Sequence, residues 1–144
     1  WHLLRHIRLN HLENCTVIQA ALSDRTSLSG FAVAESNSMG HLTSQATSYQ
    51  VPTLSADAYL TQFPQARPQF IKVDIEGGEA DFLRGAYTLL REHGPELLIS
   101  LHSEEQARDC REILHSVGYK LFRPNGERLL PQQLLDGEVS ARRH

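Results

Sequence analysis

Two cysteines, one methionine and one tryptophan occur in 144 residues, and each scarcity narrows the reading. Cys15 and Cys110 are too few for a disulfide framework and make no metal-ligand spacing. They read as two reduced, partly buried thiols of a cytoplasmic protein. No apolar run approaches the roughly 20 residues of a membrane span, and no signal-peptide pattern is present. Charge of one sign is missing too. The formal net charge is −3, and Arg142-Arg143 is the longest basic run, so neither a nucleic acid nor a membrane surface is indicated as partner. Repeats are absent, and the length suits one domain over residues 1–144. The first residue is Trp1, within what reads as a helix, and the chain is expected to be a piece of a longer protein.

What is present centres on Phe70-Ile71-Lys72-Val73-Asp74-Ile75-Glu76-Gly77-Gly78-Glu79. The apolar opening suits a strand buried in a parallel sheet. Carboxylates follow where that strand ends. Phe82, Leu83, Ala86, Leu89 and Leu90 then recur at helical spacing. Ligands of open α/β sheets bind beyond the carboxyl ends of the strands, where Asp74 and Glu76 would lie.

Upstream, Leu3, Leu4 and Ile7 share a helical face, and Cys15 to Leu22 reads as a strand closed by Ser23-Asp24-Arg25. Gly30 to Ala34 is a short strand candidate, Ser36 to Ser48 a mobile loop, and Val51 to Leu54 extended. Ser55 or Thr53 caps a helix reaching Phe63. Downstream, His93-Gly94-Pro95 stops the helix that starts near Glu79, and Glu96 to His102 is the next strand. Ser103 with Gln106 matches a capping box for a helix carrying Ala107, Cys110, Ile113, Leu114 and Val117. Tyr119 to Phe122 is a strand, Asn125-Gly126 a tight turn, and Leu129 to Leu135 a weak helix or loop.

Ile71 to Glu79, with Leu83, Gly85-Ala86, Pro95 and Leu97-Leu98-Ile99, resembles the core signature of the FkbM-type methyltransferases. So does the early helix and strand ending in Ala21-Leu22-Ser23-Asp24. The resemblance implies an α/β, Rossmann-like class I fold with a mostly parallel sheet and crossover helices, N-terminally truncated here. It implies S-adenosyl-L-methionine as cofactor and a hydroxyl of a small molecule or glycan as acceptor. The family's Gly-rich cofactor loop has no counterpart in these residues, so the chain would carry the acceptor side of the site. The class I strand order is 3-2-1-4-5-7-6. The strand around Val17 would be the third and that around Val73 the fourth. The third strand is then expected to pair with the fourth, or the free edge with another chain, giving edge-to-edge self-association.

Methyl transfer to oxygen needs aligned reactants and a base for the hydroxyl proton. Asp74, Glu76, Glu79 and His102 are the catalytic candidates, and Ala21, Leu22, Asp24 and Asp74 the cofactor-side candidates. Each has a structural alternative. Glu79 can simply oppose a helix dipole, Glu76 brace a turn, His102 serve structure, and Ala21 and Leu22 pack a strand end. Asp74 is harder to dismiss, because a carboxylate ending a buried strand is costly without a partner or a task. Lys72 reads as reaching a sheet edge or a carboxylate. The family commonly has Glu where this chain has Ser100, and Leu where it has Ala56 before Asp57. Two further functions fit the residues: a metal-dependent hydrolase using Asp74, Glu76 and Glu79 as oxygen ligands, and a non-catalytic α/β binding module.

Overall fold

Phe70–Val73 forms strand β5, and its neighbour is β6 (Glu96–Leu101), running parallel. These belong to a computed structural model that describes residues 2–33, 40–45, 47–130, 132–133 and 137–143. Between the two strands the chain crosses over through α3 (Glu79–Gly85) and α4 (Tyr87–His93). After β6 come α5 (Glu104–Ser116), β7 (Lys120–Phe122) and β8 (Gly137–Arg142). The sheet runs β5-β6-β8-β7, with β8 antiparallel to both neighbours. That is the order 4-5-7-6 expected for the last four strands.

The preceding part is α1 (His2–Leu9), β1 (Ala21–Leu22), β2 (Ser27–Val33), β3 (Gly40–Thr43), β4 (Gln50–Leu54) and α2 (Ala56–Gln62). Its strands form a second sheet, β1-β4-β2-β3, in which only β1 and β4 are parallel.

Strand alternation explains the core. Val73, Leu97, Ile99, Val139 and Ala141 face α3, α4 and α5, which return Phe82, Leu83, Leu89, Leu90, Cys110 and Leu114. The anticipated helical stripes are therefore the buried ones, each large side chain contributing about 1.5–3 kcal/mol. The opposite face of this sheet presents Lys72, Ser100 and Glu138. Tyr119 donates its buried hydroxyl to Pro95 O at 2.7 Å, and burial pushes that phenol up to about 12. Ser55 caps α2 by accepting from Ala58 N, and Ser103 caps α5 by accepting from Gln106 N.

Several expectations are corrected. The sheets are mixed, not mostly parallel: two of the six strand pairings among the described residues are parallel. β2 and β3 pair antiparallel, and β8 runs antiparallel to both β6 and β7, while the Asn125-Gly126 turn only returns Arg128 to Phe122. The strand expected over Cys15–Leu22 is only Ala21–Leu22, because among the described residues no strand pairs with residues 15–19. It pairs with β4, not with β5. β5 is consequently an edge strand with Phe70 56% exposed, as expected where no first strand lies beside it. Within Ser36–Ser48, residues 40–43 form β3; residues 34–39 and 46 lie outside the described residues, as do 131 and 134–136 of the Leu129–Leu135 segment. The short strand expected at Gly30 begins at Ser27.

The single helix expected after Glu79 is two helices, divided at Ala86. The sequence hides the reason, which is Asp57 on α2. Its carboxylate accepts from Thr88 N (2.8 Å) and Leu89 N (2.9 Å), so α2 caps α4. Asp57→Ala is expected to lose about 1 kcal/mol, the usual value of a cap. A denaturant titration reads this as a lower midpoint at unchanged slope.

Both cysteines are free, but only Cys110 is buried; Cys15 is exposed. Burial first, then the charge of Glu79, pushes the Cys110 thiol up to about 12. A disulfide reagent at pH 8 is expected to label Cys15 at once and Cys110 only on unfolding, as thiol counting with and without denaturant would show.

Candidate functional site

Parallel pairing places the carboxyl ends of β5 and β6 side by side, with Val73 opposite Ile99. Asp74 and His102 leave those two ends, and His102 Nε2 lies 3.2 Å from Asp74 Oδ1. The chain then turns sharply. Glu76 takes a left-handed φ of 52° and Gly77 one of 96°. A left-handed Glu is uncommon and is held here by the turn into α3. The turn brings Glu76 back, with Oε2 3.9 Å from His102 Nδ1.

Glu79 opens α3 and is fully buried. Its Oε1 accepts from Gly77 N at 3.2 Å and lies 3.7 Å from His102 Nε2. Its Oε2 is buried without a hydrogen-bond partner among the described residues. Three carboxylates therefore surround one imidazole. Asp74, Glu76 and His102 are solvent-exposed, and Glu79 approaches them from the buried side.

Lys72 flanks the cluster. Its Nζ donates to Ser100 Oγ (2.5 Å) and Glu138 Oε1 (2.9 Å) and lies 3.6 Å from Asp74 Oδ2. The Glu138 hydrogen bond, opposed by partial burial, raises the lysine above its usual range, so it stays charged. Ser100 and Glu138 are directly paired across β6 and β8. Glu138 thus brings a carboxylate beside Ser100 from a different strand. Sequence reasoning missed Glu138, because pairing 38 positions apart leaves no local signal.

The other candidates lie apart from this cluster. Leu22 lines an apolar groove of about 480 Å³ between β1 and β5, with Ile18, Tyr59, Phe70 and Lys72. Lys72 is the link between groove and cluster. Asp24 sits in a polar cavity of about 710 Å³ with Thr43, Thr53 and Asp81. Arg25 pairs with Asp24 at 2.8 Å and holds that carboxyl below its usual range. Ala21 is the β1 partner of Thr53 and lines neither.

A family model, the methyltransferase FkbM domain, matches residues 3–121. The chain belongs to the FkbM methyltransferase domain family. The matched span holds every side chain of the Asp74–His102 cluster; Glu138 lies beyond it. A solved structure, the methyltransferase FkbM from Methylobacillus flagellatus KT, is similar in fold, with a TM-score of 0.63 at 22% identity. The similarity covers 96% of this FkbM domain and 32% of that chain, so the domain spans about a third of that protein's length. No curated protein matches it significantly. Among the described residues no helix is long and apolar enough to cross a membrane.

Proposed function

We propose that this domain carries the acceptor side of an S-adenosylmethionine-dependent O-methyltransferase site in a Rossmann-like class I fold, acting on a hydroxyl of a small molecule or glycan. The observation that carries the reading is the contact between Asp74 and His102 at the ends of two parallel strands of an FkbM domain. The sheet order β5-β6-β8-β7 supports it.

S-adenosylmethionine supplies a methyl group on a cationic sulfonium. In the transfer the acceptor oxygen bonds to the methyl carbon, the carbon–sulfur bond breaks, and sulfur leaves as a neutral thioether. The hydroxyl proton passes to His102, which Asp74 orients through the 3.2 Å contact. Asp74 and Glu76 place negative charge where positive charge must be held. The half-exposed carboxylates suit a sulfonium; the Gly-rich loop that would cradle the rest of the cofactor we place outside these 144 residues. Ala21, Leu22 and Asp24 then form the near wall of the cofactor side. We place the protein in the cytoplasm, where free Cys15 and Cys110 stay reduced. The open edge of β5 is covered by other strands of the protein or, in the isolated chain, by a second copy.

The test is product analysis. The natural full-length protein, given methyl-labelled cofactor and a panel of sugars and polyols, is expected to place label on oxygen. The isolated chain should bind the cofactor weakly. Label found only on nitrogen or sulfur, or tight cofactor binding by the isolated chain, would overturn the reading.

A further inference from the structure

The charges of the cluster do not balance. Asp74, Glu76, Glu79 and Glu138 converge on Lys72 and His102, and Lys72 is the one lysine or arginine within 4 Å of any of these carboxylates among the described residues. Lys72 spends its charge chiefly on Glu138, at 2.9 Å against 3.6 Å for Asp74. That leaves three carboxylates around an imidazole. An exposed acidic cluster is an ordinary surface feature and carries nothing alone.

Glu79 is different. Its side chain is 0% exposed, Oε2 is unpartnered, and the carboxylate is set against the cluster by the 3.7 Å approach of Oε1 to His102 Nε2. Burying a carboxylate oxygen with no donor is costly, and a cation bound nearby relieves that cost by its charge. Ligand atoms of Asp74, Glu76 and His102 also lie within 4.8 Å of one another. An ion bonded at about 2.1 Å holds ligand atoms no more than about 4.2 Å apart, so exposed side chains need close by only some tenths of an ångström.

We propose that Asp74, Glu76 and His102 bind one divalent cation, with Glu79 as the buried carboxylate behind it. Two oxygens and one imidazole nitrogen favour a first-row ion such as Mn²⁺ or Zn²⁺ over Mg²⁺. Open positions face solvent, where an acceptor hydroxyl or water completes the shell. The cation deepens the methyl-transfer reading, because a metal-bound hydroxyl loses its proton more readily. With the ion bound, His102 is its ligand in place of the base, and the proton of a metal-bound acceptor hydroxyl leaves to solvent. Cation binding does not rest on that reading, since it is measured without cofactor or acceptor.

The experiment is calorimetric titration of the natural full-length protein with MnCl₂, followed by melting with and without the ion. One equivalent is expected to bind saturably and raise the melting temperature. His102→Ala and Asp74→Asn should each weaken binding by at least about tenfold. Asp81→Asn, which alters a carboxylate paired with Arg84 outside the cluster, should bind as the parent does. Absence of saturable Mn²⁺ binding overturns the proposal, and so does equal binding by His102→Ala. Either result leaves the methyl-transfer reading to its own assay. Failure of that assay with Mn²⁺ binding intact would separate the two the other way.

Discussion

Gly85→Val is expected to lower the melting temperature by roughly 10 °C, the loss of about 3 kcal/mol in a chain of this size. Gly85 is the last residue of α3 and packs directly on the end of β1. A Cβ at this position would lie 2.1 Å from Ser23 O and 3.0 Å from the Asp24 Cα. Both are backbone atoms, so no side chain can swing away to make room. The strand end carrying Ser23 and Asp24 must lift from the helix, or the helix must shift against the core it shares with Phe82 and Leu83. Thermal unfolding followed by circular dichroism reads the shift. An alanine variant should already lose most of the stability, because the clash is made by the first carbon. A valine variant melting within about 2 °C of the parent would mean that β1 does not rest on α3.

Asp74→Asn is expected to slow methyl transfer by the natural full-length protein at least about 100-fold while moving the melting temperature little. The size is that of losing a charged group that orients a base and opposes developing charge. The small effect on folding follows from exposure. Asp74 is solvent-accessible, and its 3.6 Å pairing with Lys72 is a surface ion pair of about 1 kcal/mol or less. Amide and carboxylate are nearly the same size, so packing is preserved. Single-turnover transfer rates beside melting curves separate the two effects. A rate within about twofold of wild type would make Asp74 a structural residue.

The parts of this fold that could be read in the sequence are those governed by local pattern. The stripe from Phe82 to Leu90 and that from Ala107 to Val117 are buried as their spacing implies. Ser55 and Ser103 cap the helices that follow them. The placing of Asp74 and Glu76 after β5, and of Glu79 at the start of α3, follows from one apolar run ending in acid and glycine. What stayed hidden depends on distant neighbours. Cys15 to Leu22 has the composition of a strand, yet only two residues find a partner, because pairing is decided by β4. Asp57 divides two helices from a third, and Glu138 reaches Lys72 from the far end of the chain. His102 reads in the sequence as the last residue of a strand, which stops one residue earlier at Leu101, but its contact with Asp74 needs the parallel register of β5 and β6.

The account stands on Asp74 and His102 acting as one site, and a double-mutant cycle on the methyl-transfer rate measures that directly. Asp74→Asn, His102→Ala and the double variant are compared with wild type in the full-length protein, each at saturating cofactor. Groups that act as a unit fail together, so the double variant should be within about threefold of the slower single variant. Losses that multiply as though the two residues were independent would contradict the account.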